Sequence, residues 1–107
     1  MTIDDFCGIL DGFTRVTNVP YRHYVYSEPT PAPCLAYYEM DGKNVQADSV
    51  NVHDDIYIRM ELYIKPTDGT TSAALEELLT ANGLSYDRDR AWIDERGEVV
   101  IYYDITI

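Results

Sequence analysis

The sequence predicts an α+β domain: a mainly antiparallel sheet with two helices packed on one face. Three observations carry this. Ile56, Ile58, Met60, Leu62 and Ile64 alternate with Tyr57, Arg59, Glu61 and Tyr63, and side chains in a strand alternate between its two faces. Val99, Ile101, Tyr103, Ile105 and Ile107 repeat the pattern at the C-terminus. Two other segments carry apolar residues at helical spacing, Ile3, Phe6, Cys7 and Leu10 in one and Ala74, Leu75, Leu78 and Leu79 in the other. Each can bury one stripe against the sheet.

Taken in order, Thr2 can cap the first helix, with Asp5 three residues on in a variant of the capping box. The helix is expected over residues 3 to 12, with Gly12 as its left-handed stop and Gly8 weakening it by about 1 kcal/mol relative to Ala. Val19-Pro20 opens an extended stretch over Tyr21 to Tyr26. Pro29, Pro31 and Pro33 then interrupt Glu28 to Pro33, and proline supports neither helix interior nor ladder pairing. This segment reads as a stiff exposed connector or as an arm that touches a neighbour.

Cys34 to Met40 is a predicted strand, followed by an Asp41-Gly42 turn. Lys43 to Ser49 is polar and reads as an exposed loop, and Val50 to His53 as a short strand. Asp54-Asp55 turns the chain into the long strand that Pro66 ends. Thr70 and Thr71 are both candidate caps for the second helix, and Gly83 its stop. Leu84 and Tyr86 open a further strand. Trp92 and Ile93 belong to another, turning at Glu95-Arg96-Gly97 into the last one. Asp87, Asp89, Asp94 and Glu95 interleave with Arg88, Arg90 and Arg96, which suggests a solvated hairpin whose charges neutralise one another. Trp92 either packs over the sheet or anchors an interface.

The 107 residues make one domain, 1–107, and 46% of them are hydrophobic, a composition that folds. No apolar run approaches the roughly 20 residues that span a bilayer, and the N-terminus has no basic or long apolar region resembling a signal peptide. A cytoplasmic protein with no membrane partner is the expectation. Eight Lys and Arg face nineteen Asp and Glu, a formal net charge of −11. Phosphate binding draws its affinity from cations, so ordinary DNA or RNA binding is not expected. The acidity suits a soluble surface, an imitation of DNA that occupies a basic partner, or a wall past which DNA slides without sticking.

No arrangement of residues carries a reaction or a cofactor, so the expectation is a protein that is not an enzyme. Cys7 and Cys34 are the only cysteines; two thiols cannot close a zinc site and read as small buried hydrophobes. His53-Asp54-Asp55 is the nearest approach to a metal or hydrolytic cluster. Successive strand residues point to opposite faces, so at most two of the three converge, and a third ligand is lacking. His23 reads as a strand-surface residue with no partnered nucleophile. There is neither an EF-hand spacing nor a glycine-rich phosphate loop. Ten tyrosines, spread through the predicted strands, suit pleated surfaces and interfaces alike.

One resemblance runs along nearly the whole chain. An N-terminal helix leads to Val19-Pro20-Tyr21 and a strand. Glu28-Pro29-Thr30-Pro31-Ala32-Pro33 leads into Cys34-Leu35-Ala36-Tyr37-Tyr38. Ala47-Asp48, Val50 to Val52 and the Tyr57-Ile58-Arg59-Met60-Glu61-Leu62-Tyr63 strand follow, then a helix with Ala74-Leu75-Glu76 and a final strand. In order and lengths this resembles the small tail-terminator and head–tail joining proteins of long-tailed, siphovirus-type phages and Gram-positive prophages.

The resemblance implies an α+β domain that assembles into a homo-hexameric ring at the head-proximal end of the tail tube. The ring would end tube growth and join the tail to the head connector. It further implies a virion-tail protein, in the host cytoplasm during assembly, whose partners are itself, the tail-tube protein and the head–tail connector protein. DNA would pass through without specific binding. Tyr57, Arg59, Glu61 and Tyr63 then become candidates for a subunit or channel face, and Pro29, Pro31, Pro33 and Lys43 for contacts with neighbours. Two other readings compete: an acidic decoy that inhibits a basic host protein, and a small hydrolase or metal-binding domain built on His53 and Asp55.

Overall fold

In the computed structural model, which describes residues 1–23, 31–40, 56–93 and 97–107, both helical stripes lie against one face of a five-stranded sheet. The elements run α1 (Ile3–Thr17), β1 (Tyr21–His23), β2 (Cys34–Met40), β3 (Tyr57–Ile64), α2 (Thr70–Ala81), β4 (Tyr86–Ile93) and β5 (Glu98–Thr106). The strand order is β1-β2-β3-β5-β4. β1 runs parallel to β2, and the other three pairings are antiparallel. The expected α+β class is therefore observed, with β3 and β5 at the sheet's centre.

The period-two pattern decides which residues meet the helices. Leu35 and Tyr37 of β2, Ile58, Met60, Leu62 and Ile64 of β3, and Val99, Ile101, Tyr103 and Ile105 of β5 join one buried cluster. Phe6, Leu10 and Phe13 of α1, Val19 just after it, and Leu75 and Leu79 of α2 complete it. A one-residue slip of β3 would turn all four of its aliphatic side chains to the opposite face, so this burial also specifies register. The pair extends one residue beyond β3 and β5, through Ile56 and Ile107, which exchange both backbone hydrogen bonds (3.3 and 2.9 Å).

The first helix is longer than its sequence suggests. Its N-terminus is the expected capping box: the Thr2 N–H donates to Asp5 Oδ2 and the Asp5 N–H to Thr2 Oγ1, both at 3.1 Å. Gly12 does not end it. Phe13 continues the buried stripe one turn further, and that packing outweighs the helix penalty of one glycine, about 1 kcal/mol. The stop is Asn18, at φ 65°, whose N–H donates to the Thr14 carbonyl at 2.7 Å.

The second helix ends where expected and begins by a different device. Gly83, at φ 74°, occupies the left-handed position of a Schellman motif. Its N–H donates to the Thr80 carbonyl at 3.0 Å, and the Leu84 N–H to the Leu79 carbonyl at 2.9 Å. At the other end Asp68 is the acceptor, and the two threonines donate to it. Asp68 Oδ1 accepts from the N–H groups of Thr70 and Thr71, both at 3.0 Å, and Oδ2 from the Thr71 hydroxyl at 2.7 Å.

Tyr86 to Ile93 is one continuous strand, not two. It pairs residue by residue with β5 from Tyr86↔Ile105 to Ile93↔Glu98. The central strand supplies an uninterrupted ladder of backbone partners, which carries the chain through a charged stretch with little apolar alternation. Residues 94–96 of the expected turn, Tyr24 to Tyr26, the Lys43-to-Ser49 loop and the Val50-to-His53 strand lie outside the described residues.

Candidate functional site

The face of the sheet away from the helices carries the residues singled out on β3. Register sets them in rows across the strands. Tyr38, Arg59, Asp104 and Asp87 form one; Arg22, Ala36, Glu61, Tyr102 and Asp89 the next; Cys34, Tyr63, Val100 and Ala91 a third; and Met40, Tyr57 and Thr106 a fourth, with Glu98 and Ile93 paired beyond the third. Tyr57, Arg59, Glu61 and Tyr63 are thus brought to one surface, as the alternation required.

That surface is less wet than the sequence suggests. Glu61 is only 8% exposed and Val100 only 2%, and Cys34 and Ala36 are buried as well. Tyr57, Arg59 and Tyr63 are half-buried. A buried carboxylate needs hydrogen bonds to offset its lost hydration, and Glu61 accepts one from the Tyr63 hydroxyl, two residues along the same strand. Arg59 grips Asp104 on β5 with two bonds, Nε to Oδ1 at 2.7 Å and Nη2 to Oδ2 at 2.9 Å. Its guanidinium carbon also lies 5.5 Å from the centre of the Tyr102 ring. The hydrogen bond to Asp104 raises Arg59 further above its already high pKa. The sequence contains no signal for Asp104 as the partner, since 45 residues separate the pair and only the β3–β5 register joins them.

The remaining candidates divide. Pro31 and Pro33 are exposed ahead of β2, as a connector or contact arm requires, whereas Pro29 and Lys43 lie outside the described residues, as does His53-Asp54-Asp55. His23 is exposed at the sheet edge, with Nε2 2.8 Å from Glu39 Oε1. Among the described residues, no group of three or more His, Cys, Asp or Glu side chains could hold a metal ion, and no helix is long and apolar enough to cross a membrane.

On the helix side, polar groups mainly fasten the helices to the sheet. Tyr103 is fully buried in the core, yet its hydroxyl reaches Glu76 Oε2 on α2 at 2.7 Å. Burial first, and the Glu76 carboxylate second, push this phenol far above the ordinary tyrosine range, so it stays a donor. Glu76 also meets Arg88 of β4 at 3.4 Å. The Asp/Arg stretch therefore does not simply neutralise itself, because one of its arginines is taken up by α2. Tyr21 donates to Asp11 Oδ1 at 2.6 Å, and that bond, ahead of burial, lifts the Tyr21 phenol to about 12. Cys7 Sγ lies 3.2 Å from the Tyr37 hydroxyl, while Cys34 is buried on the opposite face.

Comparison of the chain with family models, with curated proteins and with solved structures finds no significant match.

Proposed function

We propose that this protein is a structural ring subunit of a phage tail: it closes the head-proximal end of the tail tube and joins it to the head connector. The observation that carries the reading is the element order. An N-terminal helix, a strand, a proline-led strand, the long Tyr57–Ile64 strand, a second helix and a final strand occur in that order, the order on which the resemblance to tail-terminator proteins rests.

Two further features support it. The net charge of −11 suits a passage through which DNA moves without being held. One edge strand of the described sheet is also a poor template for indiscriminate pairing: β4 presents Asp87, Arg88, Asp89 and Arg90 in succession. A charged edge resists strand addition, so a neighbouring subunit would meet it through side chains. In this reading the protein is not an enzyme and needs no cofactor. It works in the virion tail after assembly in the host cytoplasm, with other copies of itself, the tail-tube protein and the connector protein.

Disrupting the gene in the phage and imaging its particles tests the proposal. Tails of uncontrolled length, or heads without tails, are expected; normal virions overturn it. The acidic-decoy reading draws on Asp87 and Asp89, both exposed on the same face of β4. It requires capture of a basic host protein at low salt that is released as salt rises, and failure to capture one removes it.

A further inference from the structure

Two features on the helix side of the molecule have complementary chemistry. One is a groove of about 270 Å³ between the helices, lined by Phe13 and Val16 of α1 and by Ala74, Leu78 and Ala81 of α2, with the exposed Glu77 at the same site. The groove is smaller than the roughly 300–1,000 Å³ of small-molecule sites, a size that suits one side chain better than a cofactor. Val16 is 78% exposed, so the lining is open to a visitor.

The other feature is on β4. Tyr86, Arg88, Arg90 and Trp92 lie opposite Ile105, Tyr103, Ile101 and Val99, so all four project toward the helix side. The first two are absorbed by the protein itself: Tyr86 packs edge-on against Tyr103 at 5.4 Å, and Arg88 pairs with Glu76. The next two are not. Trp92 is 62% exposed, and Arg90 is exposed with no ion pair to a described residue. A tryptophan and an arginine side by side, facing water on a charged edge, are the residue types that anchor interfaces.

We propose that Trp92 of one copy inserts into the α1–α2 groove of a second copy, with Arg90 pairing with Glu77 across the contact. Apolar ring meets apolar lining, and cation meets an exposed carboxylate that has no ion pair of its own among the described residues. Because knob and groove are different surfaces of one subunit, the contact is heterologous, and such contacts propagate into rings or filaments. A buried tryptophan contributes about 150–250 Å², well below the roughly 800 Å² per partner of a stable pair. The single contact is therefore weak, and closure, in which every subunit is held on two sides, strengthens the assembly. Closure into a ring rests on the tail reading; the contact itself does not.

The test is sedimentation of the full chain up to about 1 mM, where even a contact worth roughly 4 kcal/mol is half formed, with the emission of its sole tryptophan followed in parallel. Wild type is expected to associate, its emission shifting to the blue as Trp92 leaves water. Trp92→Ala is expected to weaken association by about 30-fold, the loss of a buried anchor. Ala81→Phe, which fills the groove from an exposed position, should do the same. Each variant alone is then monomeric, but the two mixed form a 1:1 dimer, since one keeps the groove and the other the knob. Arg90→Glu and Glu77→Arg should each weaken the contact and restore it together.

A wild type that stays monomeric to that concentration overturns the proposal. So does a Trp92→Ala or Ala81→Phe variant that associates like wild type. The tail reading fails separately: it falls if phage lacking the gene is normal while purified protein still associates through Trp92. It stands without this contact if tails need the gene but Trp92→Ala phage terminates them normally.

Discussion

Asp68 shows how one carboxylate can serve several donors. Burial alone would raise its pKa, but the hydroxyl and N–H of Thr71 and those of Thr70 together outweigh burial and hold it below the ordinary carboxylate value. A carboxyl with a depressed folded pKa adds stability that is fully present above its unfolded value, near 3.9, and is lost as pH falls through the folded one. Asp68→Ala should therefore cost about 1 kcal/mol at neutral pH, the usual worth of a helix cap. The difference from wild type in denaturant titrations should shrink as pH drops below about 4. The Arg59–Asp104 pair sets a contrast. Its geometry is bidentate, but its side chains are 37% and 34% exposed, and water screens charges so placed. Asp104→Asn should cost less than about 1 kcal/mol. Tyr103→Phe removes the donor of the Tyr103–Glu76 hydrogen bond, which ties α2 to β5, and should cost about 1 kcal/mol in the same titrations.

Helix ends depend on conformation more than on composition. Gly12 sits inside α1 in a conformation any residue can adopt, and a Cβ there would meet nothing within 4 Å. Gly12→Ala should stabilise the protein by up to about 1 kcal/mol, by reducing the freedom of the unfolded chain and favouring helix. Gly83 has equal space for a Cβ but holds φ 74° in the Schellman turn. Gly83→Ala should destabilise by about 1 kcal/mol despite the room. Thermal melts of the two alanine variants should move in opposite directions. Elsewhere β4 shows an element formed by its partner: its alternating Asp and Arg residues have weak strand preference, and pairing with β5 supplies the order.

Across the molecule, the charge of −11 opposes compactness through self-repulsion. Raising salt from low ionic strength to about 0.15 M shortens the screening length to roughly 8 Å. The melting temperature should therefore rise with salt over that range. A fall would mean that local ion pairs, such as Arg88–Glu76, outweigh the net repulsion. The charges are not evenly sorted by sign or role: Arg59 and Arg88 are held by acids of other elements, whereas Arg90 and Glu77 remain exposed on different surfaces, where a second copy can join them.

The α+β class, the burial of one face of β3 and β5, the capping box at Thr2 and the glycine stop after α2 are all legible in the chain, because each depends on residues a few positions apart. Period two and period 3.6 are local properties, and so is a cap. The length of α1, the continuity of β4, the burial of Glu61 and the partners of Arg59, Tyr103 and Arg88 are not legible in this way. They depend on contacts between segments far apart in sequence. Phe13 prolongs a helix past a glycine because a core waits for it. Asp104 meets Arg59 because two strands share a register, and the groove facing Val16 exists because two helices rest on one sheet without closing on each other. Asp68 stands between these cases: an aspartate just ahead of Thr70-Thr71 and an alanine-rich run is itself a cap signature, although which of three neighbouring polar residues accepts the helix's first N–H groups is settled by the turn that positions them.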